Sequence, residues 1–562
     1  MKKLLGTLLL FIAINPLGFG QVESKLELLD IFNMEYVSDP QISPDGSKII
    51  YVRNFKDVMT DRNLSNLWIV NFDGSNNRPL TTGNHNDFAP KWSHDGKKIV
   101  FKSNMADDKM KLYLLWLDTK ETMALTNTPK SPGAVSWSYD DKYVAFNMFV
   151  PEANKSIIKM PGKPEGAKWN KPPKYIDKMN YRGDGAGYYK GGNSQLFTLP
   201  ISGGTPKQLT FSEFDHGGPV WAKDNTHLYF SANFHKDEEQ EPADSEIYSI
   251  NVNDGEITPL TDRYGPDGHP VLSPDGSKIA YLGYDDRLQG YQLTQLYVMN
   301  SDGTDSKLIS GDFDRDVEDM AWNSKGNGLY FSYTDQGVGK LASMSLSGKV
   351  DDITEGLGGL SLGRPYNAAS FSASSNNKFA YTLGDTSHPS DLGAADTRGT
   401  KRLTAVNDDL FSFKKLGKVE EMWWESSYDQ RKIQGWVVTP PDFDPSKKYP
   451  MILEIHGGPF TSYGEVYSAE IQAYAAEGYV VLYTNPRGST SYGEEFGNLI
   501  HHDYPNHDYE DLMSGVDALL KKGYVDEDQL FVTGGSGGGV LTAWIVGKTD
   551  RFKAAVVSKP VI

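Results

Sequence analysis

From residue 38 to residue 405 the apolar positions come in short runs, alternating or nearly continuous, and each run closes on polar turn residues. That is the pattern of β-strands. One turn recurs. It has the form Ser-x-Asp-Gly behind an aromatic or aliphatic residue. Its copies are Ile42-Ser43-Pro44-Asp45-Gly46, Trp92-Ser93-His94-Asp95-Gly96, Trp137-Ser138-Tyr139-Asp140-Asp141, Trp221-Ala222-Lys223-Asp224-Asn225, Leu272-Ser273-Pro274-Asp275-Gly276, Trp322-Asn323-Ser324-Lys325-Gly326 and the eroded Phe371-Ser372-Ala373-Ser374-Ser375. Each copy leads into a predicted strand, such as 48–53, 97–102 or 278–282. A second, alternating strand then spans a Leu–Thr-like pair. These pairs are Leu67 with Thr81, Leu112 with Thr126, Leu196 with Thr210, Ile247 with Thr261, Leu296 with Ser310, Leu341 with Thr354 and Leu392 with Thr404. Both markers count seven, at a period near fifty residues. Several short strands with Asp-Gly turns make one propeller blade, and a closed ring of blades leaves no sheet edge exposed. A β-sandwich array would not repeat one turn at near-constant spacing. The expectation is an all-β, seven-bladed propeller over residues 38–405, preceded by a linker at 21–37.

Two departures from the repeat stand out. Between Asp141 and Trp221 lies an insertion rich in Pro, Lys, Gly and Tyr, including Pro172-Pro173-Lys174 and Gly185-Ala186-Gly187-Tyr188-Tyr189. It reads equally as a substrate-touching loop over the propeller mouth and as a surface excursion without chemical role. The acidic run 236–241 reads as a solvated loop.

After Thr404 the periodicity changes. Residues 419–426 and 432–440 read as an antiparallel pair around Tyr428-Asp429-Gln430-Arg431. Strands are predicted at 451–456, 480–484 and 529–533, with helices at 469–477 and at 509–522, Asp508 lying near the start of the latter. Strands that alternate with helices give a doubly wound, mainly parallel sheet. Residues 406–562 are therefore expected to form an α/β-hydrolase domain, incomplete at its end.

The chemistry sits after the third of these strands, at Gly534-Gly535-Ser536-Gly537-Gly538, followed by a helix-like stretch at 540–547. Gly-x-Ser-x-Gly on a strand-to-helix turn is a nucleophile elbow, in which the serine hydroxyl stands clear of the sheet and the glycines admit close passage of strand and helix. Ser536 is the candidate nucleophile; the alternative is a structural turn serine. An oxyanion hole needs two backbone N–H groups. One belongs to Gly537. The other comes from His456-Gly457-Gly458-Pro459, with Gly458 favoured. The same four letters occur at His216-Gly217-Gly218-Pro219, but there Pro219-Val220-Trp221 aligns with Pro90-Lys91-Trp92 at the start of a repeat, so that copy is propeller punctuation.

Composition narrows the classes. The chain has 562 residues, 38% of them hydrophobic and 23% charged, as in ordinary globular proteins of more than one domain. Cysteine is absent, which excludes disulfides, thiolate metal sites and a Cys nucleophile. The formal charge of −18 argues against a nucleic-acid partner. No metal-ligand set occurs in a convincing spacing, and no cofactor is expected. Lys2 and Lys3, the apolar run 4–14, Pro16 and Gly18-Phe19-Gly20 read as a signal peptide over 1–20, too short to span a bilayer. The protein is thus expected to be exported, periplasmic or secreted, without stable membrane insertion.

The leader, the Ser-Pro-Asp-Gly repeats, His456-Gly457-Gly458-Pro459, Asn485-Pro486-Arg487-Gly488-Ser489 and the glycine run 534–539 together resemble the prolyl oligopeptidase family of serine peptidases. Within it the chain is most similar to the acylaminoacyl-peptidase and bacterial dipeptidyl-peptidase-like branch. The resemblance implies a propeller that lids the hydrolase domain, and a short-peptide substrate cleaved through an acyl-enzyme on Ser536. Family members often carry an aromatic residue after the serine; Gly537 departs from that. An esterase or amidase on the same site is an alternative, as is a non-catalytic propeller binding module.

In the α/β-hydrolase order the acid and then the histidine follow the serine. Here 26 residues follow Ser536, none of them histidine, and all eleven histidines precede it. Asp550, the only downstream carboxylate, falls too early for the family's acid, and His501, His502 and His507 lie in the segment that enters the preceding helix. The triad Asp and His are accordingly expected to be absent and the chain inactive as it stands. It would then be a fragment of a longer product or a shortened paralogue, and the regular motifs up to the last residue favour the fragment.

Overall fold

A computed structural model describes residues 23–152, 161–170 and 174–561. The leader at 1–20 and Pro172-Pro173 of the insertion lie outside the described residues.

The recurring turn folds because its side chains satisfy its own backbone. Ser43 Oγ donates to Asp45 Oδ1 at 2.6 Å, Asp45 Oδ1 accepts from Ser47 N at 3.0 Å, and Ser43 Oγ accepts from Lys48 N at 3.0 Å. Gly46 takes φ +66°, which a Cβ would oppose. Ser93 with Asp95, Ser138 with Asp140 and Ser273 with Asp275 repeat the bond, and the eroded copy keeps it as Ser374 to Asn376. The second marker is also a hydrogen bond. The hydroxyls of Thr81, Thr126, Thr210, Thr261, Ser310 and Thr404 accept from the N–H of Leu67, Leu112, Leu196, Ile247, Leu296 and Leu392, each at 2.9 Å. Leu341 and Thr354 instead face each other as ladder partners.

Among the described residues these units form five four-stranded sheets and one eight-stranded sheet. The halves of the latter are joined through a single pair, Leu357 with Leu383. Strands within a unit pair in chain order and antiparallel, as in Tyr36–Ile42, Lys48–Asp57, Arg62–Asn71 and Arg78–Pro79. Neighbouring sheets share apolar cores, for instance Ile50, Val52 and Leu67 against Ile99, Phe101 and Tyr113. The indole N–H groups of Trp92, Trp137 and Trp322 donate to the carbonyls of Gln41, Lys91 and Val271 in the preceding sheet. The first sheet packs on the last, with Val37, Ile42 and Tyr51 against Ala380, Leu392 and Ala394, and Ile42 N donates to Ser372 Oγ. The sheets therefore close into a ring, a β-propeller.

The second unit is a six-stranded sheet in the order Lys418–Glu425, Lys432–Thr439, Val480–Asn485, Tyr449–Ile455, Val525–Gly535, Ala554–Ser558. The first two strands pair antiparallel and the last four parallel. Ala469–Ala476 starts at Ser468, whose Oγ accepts from Ile471 N, and Asp508–Leu520 starts with Asp508, Glu510 and Asp511, charges that suit a helix N-terminus. A core of Trp424, Leu453, Ile455, Leu482, Leu512, Val516, Val532 and Ile545 lies between sheet and helices. The segment before the first propeller strand belongs with this unit as well. Ser24–Lys25 pairs with Lys414–Lys415, and Leu26 and Met34 are buried with Tyr467, Ala469 and Ala476.

Candidate active site

Strand Val525–Gly535 ends where helix Gly537–Lys548 begins, and Ser536 is the hinge between them. Ser536 sits at φ 56°, ψ −116°, a conformation that costs a non-glycine residue about 1–3 kcal/mol and lifts its exposed side chain off the sheet. The turn is held by Ser536 N donating to Ser558 O at 3.0 Å. Glycine is required beside it. A Cβ on Gly538 would fall 2.2 Å from Ile455 O, and one on Gly534 would fall 2.4 Å from Gly538 O.

The loop after strand Tyr449–Ile455 lies directly against this elbow. A Cβ on Gly457 would meet Ser536 Cβ at 3.2 Å, and one on Gly537 would meet Gly458 C at 3.1 Å. The fold thus places Ser536, Gly537 and Gly458 side by side. Neither Gly537 N–H nor Gly458 N–H has a hydrogen-bond partner among the described residues, whereas Gly457 N–H donates to Tyr366 Oη at 2.7 Å. Tyr504 Oη donates to Gly537 O at 2.6 Å and lies 3.2 Å from where a Gly537 Cβ would stand. Tyr504 and the Gly458-Pro459 backbone fill the space beside position 537.

His456 is a strut. Its buried ring lies between Ser489 Oγ at 2.8 Å and Gly457 O at 2.6 Å, and burial pushes its pKa down to about 4. It is neutral at pH 7 and ties the glycine loop to Asn485-Pro486-Arg487-Gly488-Ser489. Arg487 clamps that second loop to helix Asp508–Leu520 with two bonds to Asp511, at 2.9 and 2.8 Å. His501 Nδ1 accepts from Gly290 N at 2.8 Å, His502 meets His501 edge to face, and His507 stacks on Tyr428. None of them engages Ser536. Asp550 is exposed just past the elbow helix. His216 belongs to the propeller, bonded through Nδ1 to Ser194 O at 2.9 Å.

Three further residues at the site carry no motif. Arg364 and Tyr366 come from the propeller, in the irregular connection that precedes strand Phe371–Ala373. Arg364 Nε lies 3.1 Å from Glu454 and 3.3 Å from Glu470, and its NH1 is 2.8 Å from where a Gly535 Cβ would stand. Glu454 is fully buried and also accepts from Tyr463 Oη at 3.0 Å. Burial raises its pKa to about 8, with Arg364 opposing. A charged residue inside the apolar run Met451-Ile452-Leu453-Glu454-Ile455 is the signal that points to it. Nothing local marks Arg364 or Tyr366. No described helix is long and apolar enough to cross a membrane.

Residues 465–562 match the prolyl oligopeptidase family, and residues 167–286 match the dipeptidyl peptidase IV N-terminal region. The Uncharacterized peptidase YuxL of Bacillus subtilis is 31% identical over 550 residues, covering 95% of this chain and 81% of its own length. Dipeptidyl-peptidase 5 of Porphyromonas gingivalis is 27% identical over 553 residues, covering 93% and 76%. In fold, the acylaminoacyl peptidase of Pyrococcus horikoshii superposes with a TM-score of 0.77 at 21% identity, over 95% of this chain and 78% of that one. On these matches the chain belongs to the prolyl oligopeptidase family of serine-type peptidases.

Proposed function

We propose that Ser536 is the nucleophile of a peptidase that attacks the carbonyl of a short peptide, with the N–H groups of Gly537 and Gly458 receiving the oxyanion of the tetrahedral intermediate and an acyl-enzyme forming on Ser536. The observation that carries this reading is the pair of unpartnered N–H groups on two abutting loops beside a strained, exposed serine. With the halves of the eight-stranded sheet counted separately, the propeller is read as seven blades over residues 38–405, gating access to a hydrolase unit over 406–562. Arg364 and Tyr366 bring that gate into contact with the catalytic loops, which favours short, unfolded substrates over folded proteins.

A second reading is favoured by one observation: no histidine engages Ser536 among the described residues. Without a general base the serine is not activated, and the chain of this sequence binds peptides without appreciable turnover. One experiment separates the two. Fluorophosphonate labelling is measured on this chain and on a chimera extended beyond Ile562 with the C-terminal segment of the Bacillus subtilis relative. The nucleophile reading expects labelling of the chimera, abolished by Ser536→Ala. Labelling that persists in the alanine variant removes Ser536 from its role, and robust turnover by the unextended chain shows that an upstream histidine acts as the base.

A further inference from the structure

We propose that His235, Asp244 and Glu246 form a site for one first-row transition-metal dication of the Zn²⁺ type, at the base of the loop between strands His227–Ala232 and Glu246–Asn251. One ligand atom from each of the three lies within 4.8 Å of the others. Ala232 and Glu246 are register partners, so the hairpin brings together ligands that an eight-residue gap separates in the sequence. That gap is why no metal spacing is legible in the sequence.

Three observations converge on a cation. His235 Nε2 is shielded from solvent and has no hydrogen-bond partner among the described residues. It lies 3.5 Å from Asp244 Oδ2, beyond the ~2.7–3.2 Å of an N–H···O bond. Two ligands on one tetrahedral zinc, at about 2.0–2.1 Å from the metal, stand roughly 3.3–3.4 Å apart. Glu246 is 3% exposed, accepts from the Thr261 hydroxyl, and is surrounded by the like charges of Asp244, Asp262 and Asp267. Arg263, the neighbouring cation, pairs with Asp267 and Asp285. Among the described residues, no positive charge stands at the point where the three ligand atoms face one another. One imidazole with two carboxylates suits zinc or manganese better than calcium, which takes oxygen ligands.

The location gives the site a role. The equivalent connection of the next sheet, at Gly290 and Tyr291, docks on the hydrolase unit through His501 and Asn498, so these loops share the face turned to the catalytic domain. Between His235 and Asp244 the loop carries Glu238 and Glu239. Glu239 accepts from Met179 N at 3.3 Å and Glu238 lies 3.9 Å from Lys178, both in the long insertion. A metal that staples the loop base would therefore fix loop and insertion together over the mouth of the propeller.

The test is calorimetric titration of the metal-stripped chain with ZnCl₂, MnCl₂ and CaCl₂ at pH 7.5. One equivalent of Zn²⁺ is expected, bound more tightly than Ca²⁺, with at least a hundredfold loss in His235→Ala and in Glu246→Gln. Asp254→Asn, in the turn at the far end of strand Glu246–Asn251, leaves binding unchanged. His235 is partly exposed, so His235→Ala tests the ligand without threatening the fold. As a second readout, Zn²⁺ slows proteolysis within 236–242 in the parent and not in His235→Ala. Absence of stoichiometric binding, preference for Ca²⁺, or undiminished binding in His235→Ala overturns the proposal.

Discussion

The hydroxyl of Tyr366, a propeller residue, accepts the N–H of Gly457 in the loop after strand Tyr449–Ile455 at 2.7 Å. The next N–H, that of Gly458, has no hydrogen-bond partner among the described residues. One propeller side chain thus occupies an amide of the glycine loop that abuts the elbow. Gly464 N donating to Pro365 O at 2.8 Å and the Arg364–Glu454 pair fix the same strap on either side.

Tyr366→Phe keeps the ring and its packing on Tyr463 but removes the acceptor. A hydrogen bond of about 1–2 kcal/mol is lost. Amide exchange at Gly457 should accelerate roughly 5–30-fold, while exchange in the sheet at Leu453 is unchanged. Unaltered exchange at Gly457 would show that the loop holds its shape without the propeller.

The elbow glycines are set by their neighbours. Gly538→Ala drives a methyl to 2.2 Å from Ile455 O and 2.5 Å from His456 O, both backbone atoms that cannot yield. A cost of about 3 kcal/mol or more is expected, seen as loss of soluble protein or a lowered melting temperature of the hydrolase unit. Gly547→Ala, on the same helix with open space around it, should stabilise by about 0.5–1 kcal/mol. Equal effects at the two positions would contradict the close passage of strand and helix.

What the sequence makes legible is what short-range chemistry fixes. Ser43 and Asp45 bond within one turn, and Leu112 with Thr126 within one hairpin, so their repetition along the chain betrays each sheet. Ser536 is readable for the same reason, since strand, elbow and helix are contiguous. Tyr366 to Gly457 spans 91 residues and crosses between units, and Arg364 to Glu470 spans 106. Neither pairing leaves a periodic trace. His456 shows the converse hazard. Its letters suit chemistry, but its ring is walled in by Ser489 and Gly457 and serves as a strut.

The Thr marker predicts a graded response. Thr126 is 2% exposed and its hydroxyl satisfies Leu112 N–H. Thr126→Val, nearly the same shape, leaves that donor unpaired and should cost about 1–3 kcal/mol. At Thr354 the corresponding leucine is a ladder partner instead, so Thr354→Val should cost under about 1 kcal/mol. Thermal unfolding of the two variants decides whether the marker is a structural bond or only a composition habit.

His456 makes the hydrolase unit acid-sensitive in a direction that can be worked out. Burial holds its folded pKa at about 4, below the ordinary 6.5. Between these values the unfolded chain takes up a proton that the folded chain refuses, so stability is fully present above pH 6.5 and falls as the pH drops towards 4. At 1.36 kcal/mol per pH unit the interval amounts to roughly 3 kcal/mol. His456→Asn removes the titrating group and keeps a polar side chain near Ser489. It should be less stable than the parent at pH 7 by about 1–3 kcal/mol, since the ring contacts are lost. The variant should nevertheless lose less stability than the parent between pH 6.5 and 4. Melting temperatures of the hydrolase unit at pH 7, 5.5 and 4.5 give the comparison. If parent and variant fall in parallel with acid, His456 titrates normally in the folded state, and its ring is not the sealed strut between the glycine loop and Ser489.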